Sequence, residues 1–169
     1  MDVTRPSFGI PVLCIDDFLA AEDAQGVLQE CIDLKDAFSA ATVFENADRT
    51  RLNPSYRNNA VAYLDTLFGD NPDRSRILRA LRTKIWTEEC KLLWHRGYTV
   101  FDTVNYSTWQ EATLSRYGDG AFYKRHRDTK KVGVAHRLVT LVYYVNREPA
   151  EFTGGELVMW DGKELLAPG

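Results

Sequence analysis

The hydrophobic period of this chain changes once, near Tyr98, and that change limits the fold more than any other feature. Before it, apolar residues recur at helical spacing. In residues 20–34 Val27, Leu28, Cys31, Ile32 and Leu34 share one helical face. A second short helix is expected over Ala60–Phe68, ended by Gly69. The clearest helix spans residues 71–97. Asn71 can cap it, Pro72 suits its first turn, and Ile77, Leu78, Leu81, Ile85, Leu92 and Leu93 form its apolar face up to Gly97.

After Tyr98 the pattern becomes strand-like. The runs YTVFDTVNY, ATLSRYG, AFYKRHRD, RLVTLVYYVN and GELVMW are separated by Gly, Asp, Asn and Pro. Helices first and strands afterwards predict an α+β protein, with helices packed on an antiparallel sheet, rather than alternating βαβ units. Two shorter strands are expected earlier, in GIPVLCIDDFL and FSAATVF, and residues 45–59 read as a polar loop. The 169 residues fit one domain, with 1–97 carrying the first strand and the helices and 98–169 the later strands.

Composition excludes some classes of function. Against 24 acidic residues stand 21 basic ones, a formal net charge of −3, so nothing global favours nucleic acid or a membrane surface as partner. No apolar run approaches the 18 residues or so that a spanning helix needs. Cys14, Cys31 and Cys90 are odd in number, widely spaced and without a CxxC pair. They read as reduced, mostly buried thiols of a cytoplasmic protein. The N-terminal MDVTRPSFGI lacks the apolar run of a signal peptide.

The chemistry concentrates in FYKRHRDT, residues 122–129. On a strand, residues two apart point the same way, so His126 and Asp128 can reach one ion together. An imidazole and a carboxylate suit a divalent first-row metal. The same pair would equally serve as an ordinary solvated strand end, and H-x-D alone does not choose between the two.

Its surroundings do. Tyr117, Gly120 and Tyr123 precede His126 and Asp128; Arg137, Thr140, Tyr144 and Asn146 follow; then come Gly154, Gly155 and Leu157. In order and spacing this set resembles the Fe(II)- and 2-oxoglutarate-dependent dioxygenases, in particular their prolyl-4-hydroxylase-like branch. The N-terminal PVLCIDDFLAAEDAQGVL is similar to that family's first strand and helix. The resemblance implies a double-stranded β-helix, or jelly-roll, core with the N-terminal helices packed on its major sheet. It implies an iron centre held by two histidines and one carboxylate, with 2-oxoglutarate and O2 as co-substrates and succinate and CO2 as products. His126 and Asp128 take the places of two metal ligands. Tyr117 takes the place of a tyrosine that bonds 2-oxoglutarate, and Tyr144 and Thr140 would line the same pocket. Core packing is an equal expectation for Tyr144 and Thr140, and Gly154–Gly155 is expected to permit a tight turn. Because Asp128 keeps the carboxylate that related halogenases lack, hydroxylation, or another oxidation such as desaturation, is the expected reaction.

The substrate implied is an amino acid, a peptide or another small molecule. Five basic residues between Lys124 and Lys131 read first as a solvated rim. A sharper reading makes Arg125, with Arg137, a recruiter of an anionic substrate. The family's second histidine, and the basic residue that pairs with 2-oxoglutarate, fall downstream of the Gly-Gly turn. His95 and His136 stand elsewhere. The expectation is therefore a domain truncated at its C-terminus, of doubtful activity as the 169-residue chain alone. Its alternatives are a catalytically dead binding or scaffold homologue, or a partner that supplies the remaining strands.

Overall fold

A computed structural model describes residues 3–4, 12–45, 49–69, 71–87, 90–91, 111–128, 139–161 and 164–166. The strands expected in 98–106 lie outside these residues, as do Arg137, His95, His136, Lys130 and Lys131.

Two short strands, β1 (Val3–Thr4) and β2 (Cys14–Ile15), pair antiparallel and lead into helix α1 (Ala21–Asp33). Glu22 and Asp23 place negative charge in the first turn of α1, where its dipole favours it. Its Val27 is fully buried.

The helix expected from residue 71 begins later. Asn71 Oδ1 accepts the Asp73 N–H at 2.9 Å and caps only a single 3-10 turn, Pro72–Arg74. Helix α3 (Arg76–Ile85) starts instead at Ser75, whose Oγ accepts the Leu78 N–H at 3.1 Å. A second amide of that end, without a partner inside the helix, is met from outside it: Glu30 Oε2 of α1 accepts the Ile77 N–H at 2.7 Å. The two helices pack through Val27, Ile77, Leu78 and Ile85, with Phe18, Leu19, Leu64, Cys90 and Ala112 completing the core.

Residues 60–68 do not form one helix. Ala60–Tyr63 is a strand, β6, and only Leu64–Phe68 is helical, α2; Gly69 ends it at φ +64°. Alanine favours helix locally, but β6 is the central strand of a sheet and pairs on both sides. Its neighbours are β3 (Ser39–Ala40) and β7 (Thr113–Arg116), both antiparallel. The run FSAATVF likewise divides. Buried Ala41 separates β3 from β4 (Thr42–Phe44), and β4 pairs with β5 (Thr50–Leu52) in a different sheet. Part of the expected polar loop is therefore a strand.

The segments 121–128 and 139–158 run irregularly; the one isolated β-bridge among the described residues pairs Arg57 with Tyr123. Pairing resumes at β8 (Met159–Asp161) with β9 (Glu164–Leu166). The described strands form four separate antiparallel sheets, and none closes into a barrel. Mixed helix and antiparallel sheet thus agrees with α+β. Helices and short strands interleave before residue 98 rather than segregating, because the β3–β6–β7 sheet draws two strands from that half.

Candidate metal centre

His126 and Asp128 converge, although not through a strand. His126 Nδ1 lies 2.9 Å from the Lys124 carbonyl. A carbonyl only accepts, so Nδ1 carries the proton and Nε2 presents its lone pair away from the backbone. That lone pair faces Asp128 Oδ1 at 3.3 Å. The other carboxylate oxygen, Oδ2, accepts the Thr140 hydroxyl at 2.8 Å. Thr140 therefore braces Asp128 and is not merely a pocket wall.

Two acceptors facing each other at this distance need a cation between them. A proton serves, and accordingly the hydrogen bond to Asp128 raises the His126 pKa above its ordinary value, against opposing desolvation. A divalent ion serves as well. Ligand atoms about 2.1 Å from one ion and at right angles stand about 3 Å apart, close to the separation seen. The outward-facing atoms of both side chains already have partners, as those of metal ligands commonly do. The donor set thus fits a metal. Among the described residues no third His, Cys, Asp or Glu joins the pair.

The segment carrying the pair is strapped to residues 56–58. The Tyr56 carbonyl accepts the Lys124 N–H at 2.9 Å, and the Tyr56 hydroxyl donates to the Arg125 carbonyl at 3.0 Å. The Asn58 N–H donates to the Phe122 carbonyl at 3.0 Å, while its side-chain oxygen accepts the Phe122 N–H. Its amide group also donates to the Gly120 carbonyl at 3.4 Å, where Gly120 holds φ +65°.

Aromatic contacts continue the strap. The Tyr123 ring stacks on the His126 imidazole, with centroids 3.7 Å apart and planes 16° apart. Tyr56 meets Tyr123 edge-on at 5.9 Å. The Arg57 guanidinium stands 4.4 Å from the Tyr123 ring centre. Nothing in the residue pattern of 45–59 singled out Tyr56, Arg57 or Asn58, because their partners lie more than sixty positions away.

Of the other expected site residues, those the structure describes are exposed. Tyr117 and Tyr144 are 49% and 56% exposed, and partial burial raises both phenol pKa values. Tyr144 also feels the charge of Tyr117 and bonds the Leu157 backbone. Thr140 and Tyr144 do not share a strand face: one reaches Asp128, the other Leu157. The Arg125 guanidinium lies over the Trp160 ring at 5.0 Å. Gly154 and Gly155 both take positive φ, +83° and +86°, as the expected turn requires.

Residues 112–168, which contain the pair, match the family model described as the 2OG-Fe(II) oxygenase superfamily. The chain is also 28% identical over 147 residues to an uncharacterized PKHD-type hydroxylase of Synechocystis sp., an alignment covering 87% of this chain and 43% of the relative. It therefore spans less than half the length of that relative. No solved structure matches the chain. Both matches bear out the resemblance to 2-oxoglutarate-dependent Fe(II) dioxygenases and their prolyl-4-hydroxylase-like branch.

Proposed function

We propose that the protein is a non-haem Fe(II)- and 2-oxoglutarate-dependent dioxygenase that hydroxylates an amino-acid, peptidyl or other small substrate. The observation that carries this reading is the 3.3 Å approach of His126 Nε2 to Asp128 Oδ1, within a segment that matches the superfamily model. Iron bound there would supply the redox centre for O2 and 2-oxoglutarate, with succinate and CO2 as co-products. The chain's own residues do the positioning. Lys124 and Thr140 hold the two ligands in orientation. Tyr117 and Tyr144, kept protonated by their raised pKa values, can donate hydrogen bonds to a co-substrate carboxylate. Arg125, with Arg137, would act on an anionic substrate at the rim.

The jelly-roll core belongs to the same reading, as the architecture in which the family holds such a pair. No described helix is long and apolar enough to cross a membrane. A cytoplasmic location rests on the three cysteines, none of them in a disulfide.

Succinate release by the full polypeptide, with Fe(II), 2-oxoglutarate and O2, tests the reading. His126→Ala should abolish both succinate formation and Fe(II) binding. A wild-type protein that neither binds Fe(II) nor makes succinate would sink it.

A further inference from the structure

Arg57 is a half-buried cation whose partners among the described residues are all neutral. Its Nε donates to Asn59 Oδ1 at 2.8 Å and one terminal nitrogen donates to the Thr42 carbonyl at 3.3 Å. The guanidinium has five donors, and these bonds take two. Among the described residues no carboxylate pairs with it. A partly buried charge without a counter-charge is costly unless a ligand supplies one.

Its position is specific. The Arg57–Tyr123 and Tyr123–His126 separations together put the guanidinium within about 8 Å of the imidazole centre. Its charge also reaches the Tyr117 hydroxyl. On its flank lies a cavity of about 180 Å³, lined by Ala40, Ala41, Leu52, Pro54, Asn58 and Asn59 besides Arg57 itself. Among the described residues Arg57 is the one charged residue of that lining, and the bonds to Asn59 and Thr42 hold its planar group in place before anything binds.

We propose that Arg57 is a carboxylate-pairing residue of this site, and that the cavity beside it takes the short carbon chain of the same molecule. This deepens the dioxygenase reading and rests on it for the identity of the reaction. The carboxylate has two sources, the oxidised substrate or 2-oxoglutarate.

Butanoate, a carboxylate on a short apolar chain, is the probe for the first source, and butanamide is its uncharged control. Binding is read by ligand-observed NMR on the full polypeptide, metal-free and then saturated with Fe(II) and 2-oxoglutarate without O2. Binding of 2-oxoglutarate to the Fe(II)-loaded protein is read by calorimetry. Arg57→Gln keeps hydrogen-bonding capacity but removes the charge, and should weaken one of the two carboxylates about tenfold or more. Arg57→Lys should restore most of the loss. Ala40→Leu, which fills the cavity and leaves the charge, should weaken butanoate and butanamide alike. A loss on butanoate assigns the subsite to the substrate; a loss on 2-oxoglutarate assigns it to the co-substrate. Unchanged affinity for both in Arg57→Gln, with its fold checked by circular dichroism, overturns the proposal. Failure of the wild type to bind Fe(II) would strike the dioxygenase reading instead, and the metal-free butanoate titration would still report on Arg57.

Discussion

The Tyr123 ring lies flat on the His126 imidazole, 3.7 Å between centroids, and so fixes the plane of the first proposed metal ligand. A ligand's ring must be oriented before its lone pair can meet an ion, and the Lys124 carbonyl alone leaves rotation about that one hydrogen bond. Tyr123→Leu should weaken Mn(II) binding several-fold while leaving the donor atoms in place. Calorimetric titration of wild type and variant checks this; equal affinities would deny the stack any role in orientation.

Asp128 depends on Thr140 in the same way. Removing the hydroxyl in Thr140→Val frees Oδ2 and lets the carboxylate turn. Loss of such an outer partner typically lowers metal affinity about 10- to 100-fold. The variant should melt close to the wild-type temperature without metal, since Thr140 is exposed. A metal-binding isotherm beside a metal-free melting curve separates the two effects.

The His126–Asp128 pair also sets a pH dependence. Its hydrogen bond raises the folded-state pKa of His126 above the unfolded value. The pair's stabilisation of the metal-free protein is therefore complete below the unfolded pKa, about 6.5, and is lost as pH rises through the folded value. Wild type and Asp128→Asn should differ in metal-free melting temperature most in mild acid and converge at alkaline pH. Metal competes with the same proton, so metal affinity should increase as pH rises over that window.

Asp65 joins three parts of the fold. Its Oδ1 pairs with Arg82 of α3 at 2.8 Å, and its Oδ2 accepts the Ala112 N–H at the entrance to β7. Both side chains of the ion pair are largely shielded from water. Asp65→Ala should cost about 1–3 kcal/mol in chemical denaturation, because it removes a shielded ion pair and the acceptor of the Ala112 N–H together.

Thiol reactivity should follow burial. The Cys31 thiol is pushed up to about 11, chiefly by desolvation and then by Glu30. At pH 7.5 roughly one Cys31 in three thousand is a thiolate. Exposed Cys14 should react with iodoacetamide in the native protein, and Cys31 and buried Cys90 only after unfolding. Mass spectrometry of a timed alkylation reads the order directly.

The sequence by itself determined the features that rest on a residue and its near neighbours. Helix α1, the stop at Gly69 and the positive-φ turn at Gly154–Gly155 follow from side-chain spacing and from the freedom of glycine. The identity of the pair His126 and Asp128 is local too, and its flanking motif carries the resemblance to the superfamily whose model matches residues 112–168. Tertiary structure alone decided what depends on distant partners. Ala60–Tyr63 is a strand because β3 and β7 pair with it on either side, against its own helical preference. Thr140 serves Asp128 rather than a shared face with Tyr144, since its segment forms no strand. Arg57 joins the site because the Tyr56 and Asn58 bonds carry its loop across to residues 120–125, and a contact spanning more than sixty residues leaves no mark in either segment's pattern.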